Sequence, residues 1–139
     1  MNFSTESVEN AQVYRISPDD SNYFAVLFDP QKDQTSHVFV VEIFASNGAT
    51  PVNIHHHATE FFYILAGEGV AHSGETRINL RQGSALLLYP HTPHAIHNTG
   101  PGKLYCLTVM TPNEGFAELI RKGTKISLDE EDLAILTGG

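Results

Sequence analysis

The chain lacks most of the features that would mark an unusual protein class. It has one cysteine, Cys106, in 139 residues, which rules out an internal disulfide and suits a reducing compartment. It has no tryptophan and only two methionines. Basic residues are scarce: eight Lys and Arg face sixteen Asp and Glu, for a formal net charge of -8. A broad nucleic-acid face is excluded on that ground, because phosphate binding needs clustered basic side chains. Long apolar runs are missing too. The longest, Phe61 to Ala66, has six residues, too few for a membrane-spanning helix. The first ten residues carry Glu6 and Glu9 and no Lys or Arg, the reverse of a targeting segment. A cytoplasmic protein is expected. The 41% of apolar residues supports one packed domain spanning 1–139, and the length is too short for two.

What the chain does have is short apolar runs broken by turn residues. Tyr23 to Phe28 ends at Asp29-Pro30, and His37 to Phe44 ends at Asn47-Gly48. Glu60 to Ala66 ends at Gly67, and Val70 to His72 turns at Ser73-Gly74 into Thr76 to Leu80. Ala85 to Tyr89, His94 to Asn98 and Leu104 to Met110 complete the series. Regular short runs with no helices between them predict an all-β antiparallel sandwich or barrel. The pattern changes after Met110. Thr111-Pro112-Asn113-Glu114 reads as a capping-box helix start, with Phe116, Leu119 and Ile120 forming the apolar stripe. A second box, Ser127-Leu128-Asp129-Glu130, precedes Leu133 and Leu136. Two short C-terminal helices are therefore expected. They pack on the outer wall or sit at the mouth, with 123–127 between them as a hinge.

Histidine is the over-supplied residue. Seven of the eight lie between His55 and His97, six of them in two clusters, His55-His56-His57 and His91, His94, His97. Residues two apart on a strand share a face, so His55 and His57 can point together while His56 points away. Glu60 opens the next strand, and His94 supplies a distant imidazole. Imidazoles with one carboxylate suit a divalent transition metal; Fe, Mn, Ni, Cu and Zn are not separated by these ligand types.

These clusters resemble the two motifs of the cupin superfamily. Gly48, the histidine triplet, Glu60 and Gly67 follow the first motif, and Gly83, Pro90, His94 and Asn98 follow the second, with Thr92 where Gly is common. The resemblance runs from about Val38 to Met110. It implies a cupin jelly-roll β-barrel, with a barrel core at about 38–110 and a helical tail at about 111–139, and a metal inside. One departure bears on the ligands. Two residues separate His57 from Glu60, where the family has three or four. Alignment on Glu60 without a gap places Asn53 and His55 at the two histidine positions; three-residue spacing places Ile54 and His56 there. The reading adopted is His55, His57, Glu60 and His94 as metal ligands, with a bulge before Glu60.

The resemblance further implies dioxygenase-like, decarboxylase or isomerase chemistry, with Glu60 exchanging between ligand and catalytic base. Phe62, Ile64 and Ile96 are expected to wall a site for a small, partly apolar molecule. With no Lys or Arg near the motifs, a dense anion such as oxalate is a less natural substrate, although Arg77 and Arg81 lie on an adjacent strand. A non-catalytic small-molecule-binding module is the other reading. Homodimers are expected, with Gln12 to Ile16 and Tyr23 to Phe28 covering strand edges.

Overall fold

The computed structural model describes residues 2–139. In chain order the strands are β1 (Gln12–Arg15), β2 (Asn22–Phe28), β3 (Val38–Phe44), β4 (Thr59–Ala66), β5 (Glu68–Ser73), β6 (Thr76–Arg81), β7 (Ala85–Leu88), β8 (Ala95–Asn98) and β9 (Leu104–Thr111). Helix α1 (Phe116–Arg121), strand β10 (Thr124–Ile126) and helix α2 (Glu130–Thr137) follow. Each apolar run between Tyr23 and Met110 has become a strand. The pairings are antiparallel, in a seven-stranded sheet ordered β10-β1-β2-β3-β9-β4-β7 and a three-stranded sheet ordered β6-β5-β8.

The two sheets face each other as a jelly roll. They do not close into one hydrogen-bonded ring, so the expected barrel is an open one. Phe44, Phe62, Ile64 and Leu104 of the large sheet pack against Ala71, Leu80 and Ile96 of the small sheet. The large sheet is longer than its partner can cover. Its remaining inner face, with Phe24, Val26, Val40 and Met110, packs against Ala117 and Ile120 of α1. Its outer face carries Val13, Tyr23, Ala25, Val41, Ile43 and Tyr105, covered in part by Ile126, Leu128 and Leu136. Strand β3 is thus buried on both faces, and this is why its sequence does not alternate.

The C-terminal segment departs from the expected pattern. Thr111 does not cap a helix, because β9 runs on through it and pairs it with Thr59. Helix α1 begins at Phe116, and the Asn113 side chain accepts the Ala117 N–H at 2.7 Å. The second helix is capped by Asp129 in place of Ser127, in a reciprocal box with Asp132. The expected hinge at 123–127 is largely β10, paired with β1. The N-terminal runs expected to cover strand edges form β1 and β2, which extend the large sheet beyond β3.

Charged residues tie both helices down. Arg121 of α1 donates from Nε to Asp29 Oδ2 at 2.6 Å and from Nη2 to Oδ1 at 3.0 Å, and Asp29 is fully buried. Asp132 of α2, also buried, accepts from Tyr23 and Tyr105, each at 2.7 Å, and from Lys103 at 3.0 Å. Two motif glycines have clear backbone reasons. Gly67 has φ +89°, and a Cβ there would meet the Lys103 carbonyl oxygen at 2.5 Å; Gly83 has φ +91°.

Candidate metal centre

Glu60 is the second residue of β4 and points inward with Phe62 and Ile64. Its Oε1 lies 3.2 Å from Nε2 of His55 and 3.2 Å from Nε2 of His94. These three ligand atoms all lie within 4.8 Å of one another. His94 and Glu60 are buried, and His55 is partly so. His94 is fixed from behind, its Nδ1 lying 2.9 Å from the Thr92 carbonyl oxygen. That bond assigns a proton to Nδ1, so Nε2, which faces Glu60, is the nitrogen that would bind a metal on giving up its own proton. His55 has no such bond: its Nδ1 lies 4.0 Å from Glu114 Oε2, within ion-pair range but beyond hydrogen-bond distance.

The donor set fits a divalent ion. Donors about 2.1 Å from one metal stand roughly 3.0–3.4 Å apart in octahedral or tetrahedral arrangements, and the two separations from Glu60 Oε1 fall in that range. The residues that would hold the ion are His55, Glu60 and His94.

His57 is not with them. Its side chain is exposed, because the chain bends at His56 and His57 before β4 begins. The shared-face argument needed an extended strand there. The bend is held by Glu114, whose Oε2 accepts the N–H of His56 at 3.0 Å and whose Oε1 accepts those of His57 at 2.7 Å and Ala58 at 2.8 Å. His56 lies near His91, with ring centroids 5.9 Å apart, and away from the metal triad. Of the alternatives, the grouping of His55 with Glu60 and His94 is the one that the gapless alignment gives, with Asn53 at its first histidine position. Asn53 pairs through its backbone with His94 and lines the same cavity. Asn98 serves the backbone, its Nδ2 donating to the carbonyls of Ala45 at 2.9 Å and Gly102 at 2.8 Å.

Electrostatics binds the triad further. Burial pushes the Glu60 carboxyl up, but the hydrogen bonds and charges of His55 and His94 outweigh it and bring it below the ordinary value. Burial pushes His94 down, and Glu60 with the Thr92 carbonyl reverses that and raises it. Glu114 is held down at about 2, first by the His56 N–H and then, against its own desolvation, by the N–H groups of His57 and Ala58.

The triad opens into a cavity of about 450 Å³ walled by Phe24, Phe62, Ile96, Met110, Phe116 and Leu119. Phe116 and Leu119 place α1 at its mouth, whereas α2 packs on the outer wall. Arg77 and Arg81 are exposed on β6 and do not reach it. Two carboxylates at the site carry no local sequence signal. Glu114 sits where a capping-box helix start is expected and instead holds the bend after His55. Glu42 is the one charge within the apolar run Val38–Phe44, and its strand gives no reason to join it to the histidines.

Comparison with known proteins agrees with this architecture. The family model described as "Cupin domain" matches residues 40–110. No curated protein matches the chain in sequence. A crystal structure of a predicted oxalate decarboxylase from Thermotoga maritima is similar with TM-score 0.69 and 22% identity, over 79% of this chain and 99% of that one. An RmlC-like cupin from Shewanella frigidimarina is similar with TM-score 0.65 and 15% identity, over 80% and 92%. A cupin domain from Schizosaccharomyces pombe gives TM-score 0.64 and 18% identity, over 90% and 82%. At these identities the likeness carries the fold alone.

Proposed function

The chain belongs to the cupin superfamily, and from that premise we propose that it is a metal-dependent enzyme acting on a small, partly apolar metabolite. Its chemistry is dioxygenase-like or of the related oxidoreductase, lyase or isomerase kinds. The observation that supports this is the convergence of His55, Glu60 and His94 on one point at the wall of an apolar cavity. A bound divalent ion supplies Lewis-acid polarisation of a substrate oxygen. The protein's share is to hold and to exclude. His94 is oriented by Thr92, and Glu114 fixes the backbone just after His55. Glu60, between the two imidazoles, is the residue placed to take up or return a proton at a substrate atom. Phe116 and Leu119 of α1 keep water from the mouth.

A second reading, a non-catalytic binding module, draws on a different observation: three protein donors converge here, with Asn53 at the position of a fourth. Metal analysis of freshly purified protein, followed by oxygen-uptake and turnover assays with neutral metabolites, tests both. About one metal per chain with turnover supports the enzyme. Metal and ligand binding without turnover supports the module. Absence of any metal preference over His94→Ala removes both.

Homodimerisation is part of the proposal, now through the outer face of β4 and β7. Phe61, Tyr63 and Leu87 stand exposed together there. Light scattering should give a dimer near micromolar concentration, and Phe61→Glu should give a monomer.

A further inference from the structure

Four acidic side chains are buried among the described residues: Asp29, Glu42, Glu60 and Asp132. Three have partners that account for them. Asp29 holds Arg121, Asp132 holds Lys103 and two tyrosines, and Glu60 holds the two histidines. Glu42 has no basic partner. It is 3% exposed on β3, and Asn22 Nδ2 donates to its Oε2 at 3.0 Å. One amide is weak compensation for a buried carboxyl, and an apolar residue would fill this position in a plain core. Nearby on the inner face of β9, the fully buried Thr108 hydroxyl faces the Glu42 carboxyl and has no other partner. Polar groups left under-satisfied in a folded chain call for an explanation.

The cavity supplies one. Glu42 and Asn22 both line it, as do His55, Glu60 and His94. Its lining also includes Asp20 and Glu114, and no Lys or Arg. Even with a divalent ion at the triad and a proton on Glu42, one of the three remaining acidic charges, Asp20, Glu60 and Glu114, stays uncompensated. An anion entering the cavity meets repulsion that no guanidinium or ammonium offsets. A hydroxyl or an amine meets an acceptor.

Resting on the cavity reading above, we infer that Glu42, held by Asn22, is the ligand-orienting residue of this site and selects a molecule with a hydroxyl or amino group on an apolar body. Such a molecule is uncharged or cationic. Its polar group bonds Glu42 while its body lies against Phe24, Phe62 and Phe116. Glu42 acts here in binding and positioning, and the ion at the triad is held without it.

The test uses three probes of one shape and different charge, benzylamine, benzyl alcohol and benzoate. Their dissociation constants are measured by ligand-observed NMR on the full chain, as purified and again after chelation. Benzylamine should bind at least 10-fold tighter than benzoate in both preparations, with benzyl alcohol also tighter than benzoate. Glu42→Gln, isosteric and uncharged, should bring the amine-to-benzoate ratio within 3-fold. Benzoate binding as tightly as benzylamine in the wild-type chain overturns the inference whether or not the variant folds. So does a ratio unchanged in Glu42→Gln, or no saturable binding of any probe at millimolar concentration. The metal reading is judged separately, by the metal content of wild-type protein and His94→Ala, so the two failures are told apart.

Discussion

Glu114 grips His57 by its backbone and not by its ring: the carboxylate accepts the His57 N–H at 2.7 Å while the imidazole stands exposed. The same carboxylate accepts the flanking N–H groups of His56 and Ala58. A residue more than fifty positions downstream thus sets the bend that sends His55 inward and His57 outward.

Alanine scanning of the triplet reads this geometry directly. His55→Ala and His94→Ala should each lose about 10-fold or more in metal affinity, measured by competition with a chelator, since even the groups that orient ligands are worth that much. His56→Ala and His57→Ala should stay within about 3-fold of wild type. A large loss at His57 would restore the shared-face register.

Removing Glu114 should relax the bend. Glu114→Ala should weaken metal binding by roughly 10-fold while leaving all three donors in the chain. The pH dependence has a definite sign. Glu114 is held at about 2 in the folded chain, below the ordinary 4.5. Its contribution to stability is therefore present above about pH 4.5 and is lost as pH falls toward 2. Thermal melts between pH 6 and 3 should fall more steeply for wild type than for Glu114→Ala. Parallel curves would count against the latch.

Glu42 has the opposite sign. Burial, and then the charge of Glu60, push its carboxyl up to about 8 in the metal-free chain. The folded chain then holds a proton that the unfolded chain releases above 4.5, so this group costs stability as pH rises from about 4.5 to 8. Glu42→Gln should raise the melting temperature of metal-free protein more at pH 8 than at pH 5. An equal shift at both values would refute the assignment.

Arg121 neutralises the fully buried Asp29, and Arg121→Ala leaves that carboxylate unpaired. Breaking such a pair costs about 3–5 kcal/mol. Urea denaturation should show a loss of that order, and Arg121→Lys should recover only part of it, because the bidentate fork is gone.

Deleting the chain after Lys122 should lower the melting temperature and spare the metal. The deletion removes Ile126, Leu128 and Leu136 from the outer cluster and Asp132 from Tyr23 and Tyr105. The triad and Glu114 remain. Unchanged stability would show that the outer layer contributes little.

Much of the jelly roll could be read from the spacing of apolar runs and turns, because each of those strands is specified within its own short run of neighbouring residues. The pair Glu60 and His94 was legible for the same reason, each sitting at a fixed step from a motif glycine or proline. His57 was misplaced because a strand-face argument presumes local extension, and the bend there is imposed by Glu114 from outside the segment. Strand β10 was missed for a related reason. Thr124–Ile126 is three residues long and is a strand only because β1 lies beside it. Glu42 was not singled out in the sequence, because its closeness to the cavity depends on how β3 and β9 align, which no local pattern carries.

The Glu114 latch also orders events during synthesis. His55, Glu60 and His94 all emerge from the ribosome before Glu114 does, and at about 5–20 residues per second the interval from Glu60 to Glu114 is roughly 3 to 10 seconds. Through that interval the histidine segment has no carboxylate to shape it. Metal capture therefore waits until Glu114 has emerged and α1 can dock, and a nascent chain stalled before residue 114 would expose its imidazoles without a finished site.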